Sequence, residues 1–187
     1  MKNHLQTVNS NDILPVRKYG DPILREKVKR IIDFNPLPRM VQKMFATMYE
    51  EGGIGLAANQ VGWSIDLLVF DTSCIDDEDD NKQYTFINNK IIKKEGKIIL
   101  EEGCLSVPEI RAKIERPEAI TLRYQDLSQN THEKKFTGMV SRVIQHELDH
   151  LNGKLFIDYL SPAKRILINK RLLEISKYGN PSTGLIL

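Results

Sequence analysis

Two histidines separated by three residues, with a glutamate directly after the first, stand at His146-Glu147-Leu148-Asp149-His150. On an α-helix, residues four apart overshoot one turn by only about 40°, so both imidazoles project from nearly one face. Such a pair can bind one metal ion, and the glutamate beside them can handle protons. A surface helix carrying two ordinary histidines would show the same pattern, so the third ligand decides what the site is. A metal with three protein ligands and one open position lowers the pKa of water from about 15.7 to about 7, which makes amide hydrolysis possible at neutral pH.

The elements that must position these residues can be read from periodicity. Val140, Val143, Ile144, Leu148 and Leu151 give residues 139–152 one apolar side, and Gly153 suits the end of that helix. An earlier helix follows Pro36 and Pro38, where Met40, Val41, Met44, Phe45 and Met48 recur at helical spacing as core, and Gly52-Gly53 ends it. A last helix starts at Ser161-Pro162, with Ile166, Leu167, Leu172, Leu173 and Ile175 as its apolar residues. Lys164, Arg165, Lys170, Arg171 and Lys177 form its wet face, and Gly179-Asn180-Pro181 stops it.

Between the helices, residues 65–70, 84–88, 91–94, 97–100, 119–125 and 131–136 read as short strands. Gly20-Asp21-Pro22 marks a turn, and the acid run Asp76-Asp77-Glu78-Asp79-Asp80 reads as a solvated hairpin tip. It lacks the glycine and ligand alternation of a calcium loop. Helices flanking short, mostly antiparallel strands without βαβ alternation predict an α+β fold. One domain over residues 1–187 is expected, with a loose arm at 1–14 and a tail at 179–187.

Composition excludes several classes of function. Net charge is +2, from 27 basic and 25 acidic residues, which gives no footprint for sequence-specific nucleic acid or an anionic membrane. The N-terminal residues lack the apolar run of a signal peptide, and nothing is long and apolar enough to span a bilayer. Two cysteines, Cys74 and Cys104, make no disulfide framework. A reducing cytoplasm is expected, where a free thiol can serve as a ligand. Gly53-Ile54-Gly55-Leu56-Ala57-Ala58 mimics a dinucleotide fingerprint, but a helix precedes it where that fingerprint needs a strand.

Several residues could complete the metal site. The peptidases that extend the motif to His-x-x-Gly-x-x-His are excluded, because Phe156 stands where the last histidine is needed. Glu174, on the last helix, would make the chain a zinc endopeptidase. His4 and His132 are possible by type, with no motif around either. Cys104 lies in Glu102-Gly103-Cys104-Leu105-Ser106-Val107-Pro108, read as an irregular segment closed by proline. A non-catalytic protein whose zinc is closed by four protein ligands remains a further alternative.

Three blocks, in order, resemble those of the peptide deformylase family. They are Gly53-Ile54-Gly55-Leu56-Ala57-Ala58-Asn59-Gln60, Glu102-Gly103-Cys104-Leu105-Ser106 and Gln145-His146-Glu147-Leu148-Asp149-His150. Tyr19-Gly20-Asp21-Pro22-Ile23-Leu24-Arg25 is similar to the family's N-terminal segment, and the likeness runs from about residue 14 to 160. The resemblance implies removal of the formyl group from the N-terminal formyl-methionine of new polypeptides, with release of formate. It implies Cys104, His146 and His150 as metal ligands, with a water as the fourth, and Glu147 as the acid/base. It implies Gln60 and the Leu105 N–H as oxyanion donors, and Gly55 as a backbone contact to substrate.

Softness of one sulfur and two nitrogens points to Zn2+. The resemblance implies Fe2+ as the native metal, with Zn2+, Ni2+ or Co2+ able to replace it. Iron beside a thiolate would make the protein oxygen-sensitive through Cys104. A thiolate also weakens acidification of water relative to a third imidazole, which leaves more proton transfer to Glu147. The implied partners are nascent N-formylmethionyl chains, with room for a transient ribosome contact. Met139, Arg142 and Val143, with the glycine loop, are candidates to line the methionine pocket, and Arg111 and Arg142 read as surface or ion-paired residues, with a hold on substrate as the alternative.

Overall fold

The computed structural model describes residues 12–75 and 82–178. The acid run at 76–80, the tail at 179–187 with its Gly179-Asn180-Pro181 stop, and residues 1–11 of the expected arm lie outside them. Among the described residues, three helices, α1 (Leu37–Glu50), α2 (Gly138–Leu151) and α3 (Pro162–Tyr178), accompany seven strands. The strands are β1 (Gly55–Ala57), β2 (Leu67–Asp71), β3 (Gln83–Glu95), β4 (Ile98–Cys104), β5 (Val107–Arg116), β6 (Ala119–Gln125) and β7 (Thr131–Thr137). One sheet runs β1-β2-β3-β6-β7, all antiparallel, and β4 pairs with β5 in a separate hairpin. The fold is α+β, as the sequence implied.

The five-stranded sheet explains the unbroken apolar run in β2. Leu67 and Val69 face α1, where they pack with Val41, Met44, Phe45 and Met48. Leu68 and Phe70 face α2, where they join Phe86, Ile120, Leu122, Val143, Ile144 and Leu148. A strand covered on both faces needs apolar residues at every position, not at alternate ones. The methionines of α1 are therefore core, and α2 is held against the sheet by its whole apolar side. Gly153, at φ +71°, follows the α2 C-cap Asn152 and supplies the left-handed residue that ends such a helix.

Three expectations change. Residues 84–88 and 91–94 are not two strands but parts of β3, which bends at a register shift beside Asn88. Asn88 sits at φ +55°, a conformation asparagine tolerates, and its side chain closes the bend. Its Oδ1 accepts from Ile31 N–H at 2.8 Å, and its Nδ2 donates to Ile31 C=O and to Gln125. The segment around Cys104 is not irregular: Cys104 pairs with Val107 across a two-residue turn, Leu105-Ser106. In α3, Leu172 and Ile175 are buried with Ile168 partly covered, whereas Ile166, Leu167 and Leu173 are exposed. The helix meets the β5 layer along one narrow 168/172/175 stripe, and the other three apolar residues lie off it.

Phe156 is fully buried in the core under that helix, with Val107, Ile110, Ile114 and Leu155. Its aromatic ring packs where a ligand would otherwise be sought. No helix among the described residues is long and apolar enough to cross a membrane.

Candidate metal centre

Two elements bring the ligands together. Helix α2 carries His146 and His150, and the end of β4 carries Cys104, which faces them from the hairpin. One potential ligand atom from each lies within 4.8 Å of the other two. The Cys104 Sγ is 3.1 Å from the His150 Nε2. The His146 Nδ1 is hydrogen-bonded to Glu102 Oε2 at 2.9 Å, which leaves its Nε2 for a metal. The two rings meet edge to face, with centroids 5.0 Å apart. Cys104 and His150 are almost fully buried, and the Cys104 thiol is free of any disulfide.

A buried pocket offering one sulfur and two imidazole nitrogens fits a borderline-soft divalent metal. Burial, then repulsion by His146, lowers the pKa of His150 and favours the neutral ring that a metal requires. Burial acts the same way on His146, but its hydrogen bonds to Cys104 and Glu102 outweigh it and raise that ring. Glu174 is not part of the cluster: it lies half-exposed on α3, paired with Arg171 at 3.2 Å. His132 is exposed on β7 and pairs with Asp126, and His4 lies outside the described residues.

Glu147 is buried beside the ligands, and its Oε2 has no hydrogen-bond partner among the described residues. Burial pushes its carboxyl pKa up to about 7, against the opposing pull of His146. A carboxyl poised near neutrality can both take and give a proton. Gly55 passes directly over it. A Cβ placed on Gly55 would come within 2.9 Å of Glu147 Oε1 and 2.9 Å of Val143 Cγ1. Gly55→Ala is therefore expected to push Glu147 aside and lower kcat by about tenfold or more, read in steady-state kinetics with metal content unchanged.

Gln60 follows β1 on a short 3₁₀ turn, Ala58–Val61. Its Oε1 accepts from Ala57 N–H at 2.8 Å, which fixes the amide. Its Nε2 then faces Cys104 Sγ at 3.8 Å and donates to Ser106 Oγ at 3.2 Å. Leu105 follows the ligand Cys104 in the hairpin turn. Neighbouring Asn59 donates from Nδ2 to the His150 carbonyl at 2.5 Å, tying the glycine loop to the end of α2.

Sequence reasoning missed the group that supports the ligands. Glu102 is buried on the same face of β4 as Cys104, two residues away. Besides His146, it accepts from Arg116 Nε at 2.5 Å, Arg116 Nη2 at 2.9 Å and Arg142 Nη1 at 2.8 Å. Arg116 continues to Asp149 at 2.6 Å. An acid at that strand spacing before a candidate ligand was the available signal. Arg142 is an ion-paired residue: its guanidinium is committed to Glu102 and to the carbonyls of Ile114 and Ile98, and the substrate role offered as the alternative has no support here. Arg111 is exposed and pairs with Glu101.

Burial alone would raise the Glu102 pKa, but His146 and Arg116 hold it well below the usual carboxylate range. A depressed carboxyl stabilises the fold fully above its ordinary pKa of 4.5 and loses that contribution as pH falls below it. Glu102→Gln is expected to cost about 3–5 kcal/mol at pH 7, as for a broken buried pair. It should also flatten the loss of stability between about pH 5 and 3, measured by urea unfolding across that range.

Comparison with known proteins agrees with this geometry. The sequence matches the family model described as polypeptide deformylase over residues 13–166. A peptide deformylase from Chlorobaculum tepidum is 44% identical over 167 residues, covering 88% of this chain and 89% of the relative. One from Thermotoga neapolitana is 43% identical, covering 87% and 96%. The crystal structure of a plant peptide deformylase superposes with a TM-score of 0.83 at 35% identity, covering 96% of each chain. That of the Thermus thermophilus enzyme gives 0.82 at 34% identity, covering 88% of this chain and 98% of that one.

Fold and site together define a metallohydrolase whose Cys/His/His centre is shared between helix α2 and the end of β4. The chain belongs to the peptide deformylase family, whose members remove the formyl group from an N-terminal methionine, and that is its activity.

Proposed function

We propose that Cys104, His146 and His150 hold a ferrous ion in the native protein, that Zn2+, Ni2+ or Co2+ can replace it, and that Glu147, Gln60, Leu105 and Gly55 carry out the reaction around it. The observation that carries this reading is the convergence of the three ligand atoms beside a buried carboxylate whose Oε2 has no protein partner among the described residues. When bound, the metal supplies Lewis acidity, which makes water a stronger acid and draws charge onto the formyl oxygen. Glu147 takes the proton from the attacking water and returns it to the leaving amine. The Gln60 amide and the Leu105 N–H hold the formyl oxygen as it becomes anionic. Support for Gln60 is its fixed amide, whose Nε2 faces the Cys104 sulfur at 3.8 Å. The missing side chain of Gly55 lets the glycine loop lie against Glu147 and Val143, which sets its backbone beside the acid/base for contact with a substrate chain.

The substrate class is the formylated nascent chain, met in the cytoplasm during synthesis with at most a transient ribosome contact, by a single catalytic domain. Glu102 acts through His146, fixing which ring nitrogen faces the metal. Losing one oxyanion donor typically costs about 2.7–4 kcal/mol of transition-state stabilisation. Gln60→Ala is thus expected to lower kcat on a formyl-Met peptide by about two orders of magnitude at full metal content, and kcat within twofold of the parent would sink its role. Metal analysis after anaerobic purification tests the metal. Iron with activity that fades in air supports the ferrous assignment, and air-stable activity on zinc contradicts it.

A further inference from the structure

The segment Arg17-Lys18-Tyr19 crosses against both halves of the site. Arg17 N–H donates to the Gln60 carbonyl at 2.6 Å, and Tyr19 N–H donates to the Ser106 carbonyl at 2.8 Å. Between them, the Lys18 side chain is only 8% exposed. Its Nζ donates to the Leu105 carbonyl at 2.9 Å, with the Glu51 carboxylate 4.0 Å away. The Leu105 and Ser106 carbonyls of the hairpin turn are thus held by two consecutive residues, Lys18 and Tyr19. The residue before them, Arg17, holds the backbone carbonyl of Gln60. The glycine loop also passes close to Leu105, whose Cδ1 lies 3.0 Å from the position a Gly53 Cβ would take.

An ammonium is costly to bury, and a methionine would fill the same space without that cost. Burial does lower the Lys18 pKa, with Glu51 and then Cys104 opposing it. What the ammonium adds, and methionine would not, is a charged donor on one carbonyl of the turn. Glu51 and the strap between Gln60 and Ser106 keep that donor in place.

We propose that Lys18 is a positioning residue for deformylation: its ammonium on the Leu105 carbonyl fixes the turn so that the Leu105 N–H and the Gln60 amide converge on one point. The inference rests on the roles given above to those two donors. The Lys18 ammonium bonds to the Leu105 carbonyl and not to Cys104, His146 or His150, so it acts through the turn. Its contribution falls on the transition state, because the donors it aligns act on charge that develops only there.

The test uses the full chain loaded with Zn2+ and a Lys18→Met variant, which keeps the aliphatic stem and removes the donor. With a formyl-Met tripeptide, kcat is expected to fall about 10- to 100-fold while KM stays within about twofold, at equal metal content. In 1H–15N spectra, formate should shift the Leu105 amide of the parent protein and fail to shift it in the variant. Should Lys18→Met not give folded, metal-loaded protein, Lys18→Gln, whose head is too short for the carbonyl, is read in the same way. An unchanged kcat beside a formate-responsive Leu105 overturns the role of Lys18 alone. A parent Leu105 amide indifferent to formate overturns the oxyanion assignment and Lys18 with it. A kcat loss that merely follows lost metal also overturns the proposal.

Discussion

Replacing Glu147 with alanine is expected to leave the metal in place and to remove deformylation almost completely. The carboxylate is not among the three converging ligands, so Cys104, His146 and His150 retain their geometry without it. What disappears is the group proposed to move the proton from water to the leaving amine. General acid–base catalysis is typically worth about 10²–10⁴-fold. The thiolate ligand should place this case toward the upper end, since it leaves water less acidified than a third imidazole would. Burial already holds Glu147 near pKa 7, matched to a group that must accept and then donate within one turnover. Glu147→Gln keeps the shape and loses the proton transfer, so it separates chemistry from packing. Substantial turnover by either variant at full metal content would sink the acid/base role.

The second large effect is expected at Cys104. Cys104→Ala removes one of three ligands from a buried site and should reduce metal content severely, with activity lost in proportion. Glu174→Ala should change neither, because its carboxylate sits half-exposed on α3 with Arg171 as its partner. The pair of variants, assayed for bound metal by mass spectrometry after dialysis, distinguishes the Cys/His/His centre from an endopeptidase centre closed by Glu174. Retained metal in Cys104→Ala together with loss in Glu174→Ala would reverse the assignment.

The histidine pair was legible because helical spacing is local: His146 and His150 share a face by geometry alone, with Glu147 next to them in the chain. Cys104 was legible as a candidate by type, and its selection over Glu174 came from the resemblance of its block, not from periodicity. The hairpin that presents it was missed. Its strands carry charge on the exposed face, and the Gly103-Cys104 end reads as loop chemistry. The support behind His146 was missed for a different reason. Glu102, Arg116, Arg142 and Asp149 are spread across β4, β5 and α2, and only the folded chain joins them. The exposed Ile166, Leu167 and Leu173 show the same limit: an apolar residue on a helix reads as core until the partner surface is known. The bend in β3 depended on a single asparagine at positive φ, which a strand pattern cannot reveal.

The most direct measurement is product analysis with the anaerobically metal-loaded protein and a formyl-Met peptide several residues long. Formate and the free N-terminal amine should appear in equal amounts, every internal peptide bond should stay intact, and the acetylated peptide should be left untouched. Fragments from internal cleavage, or no formate from a fully loaded centre, would contradict it.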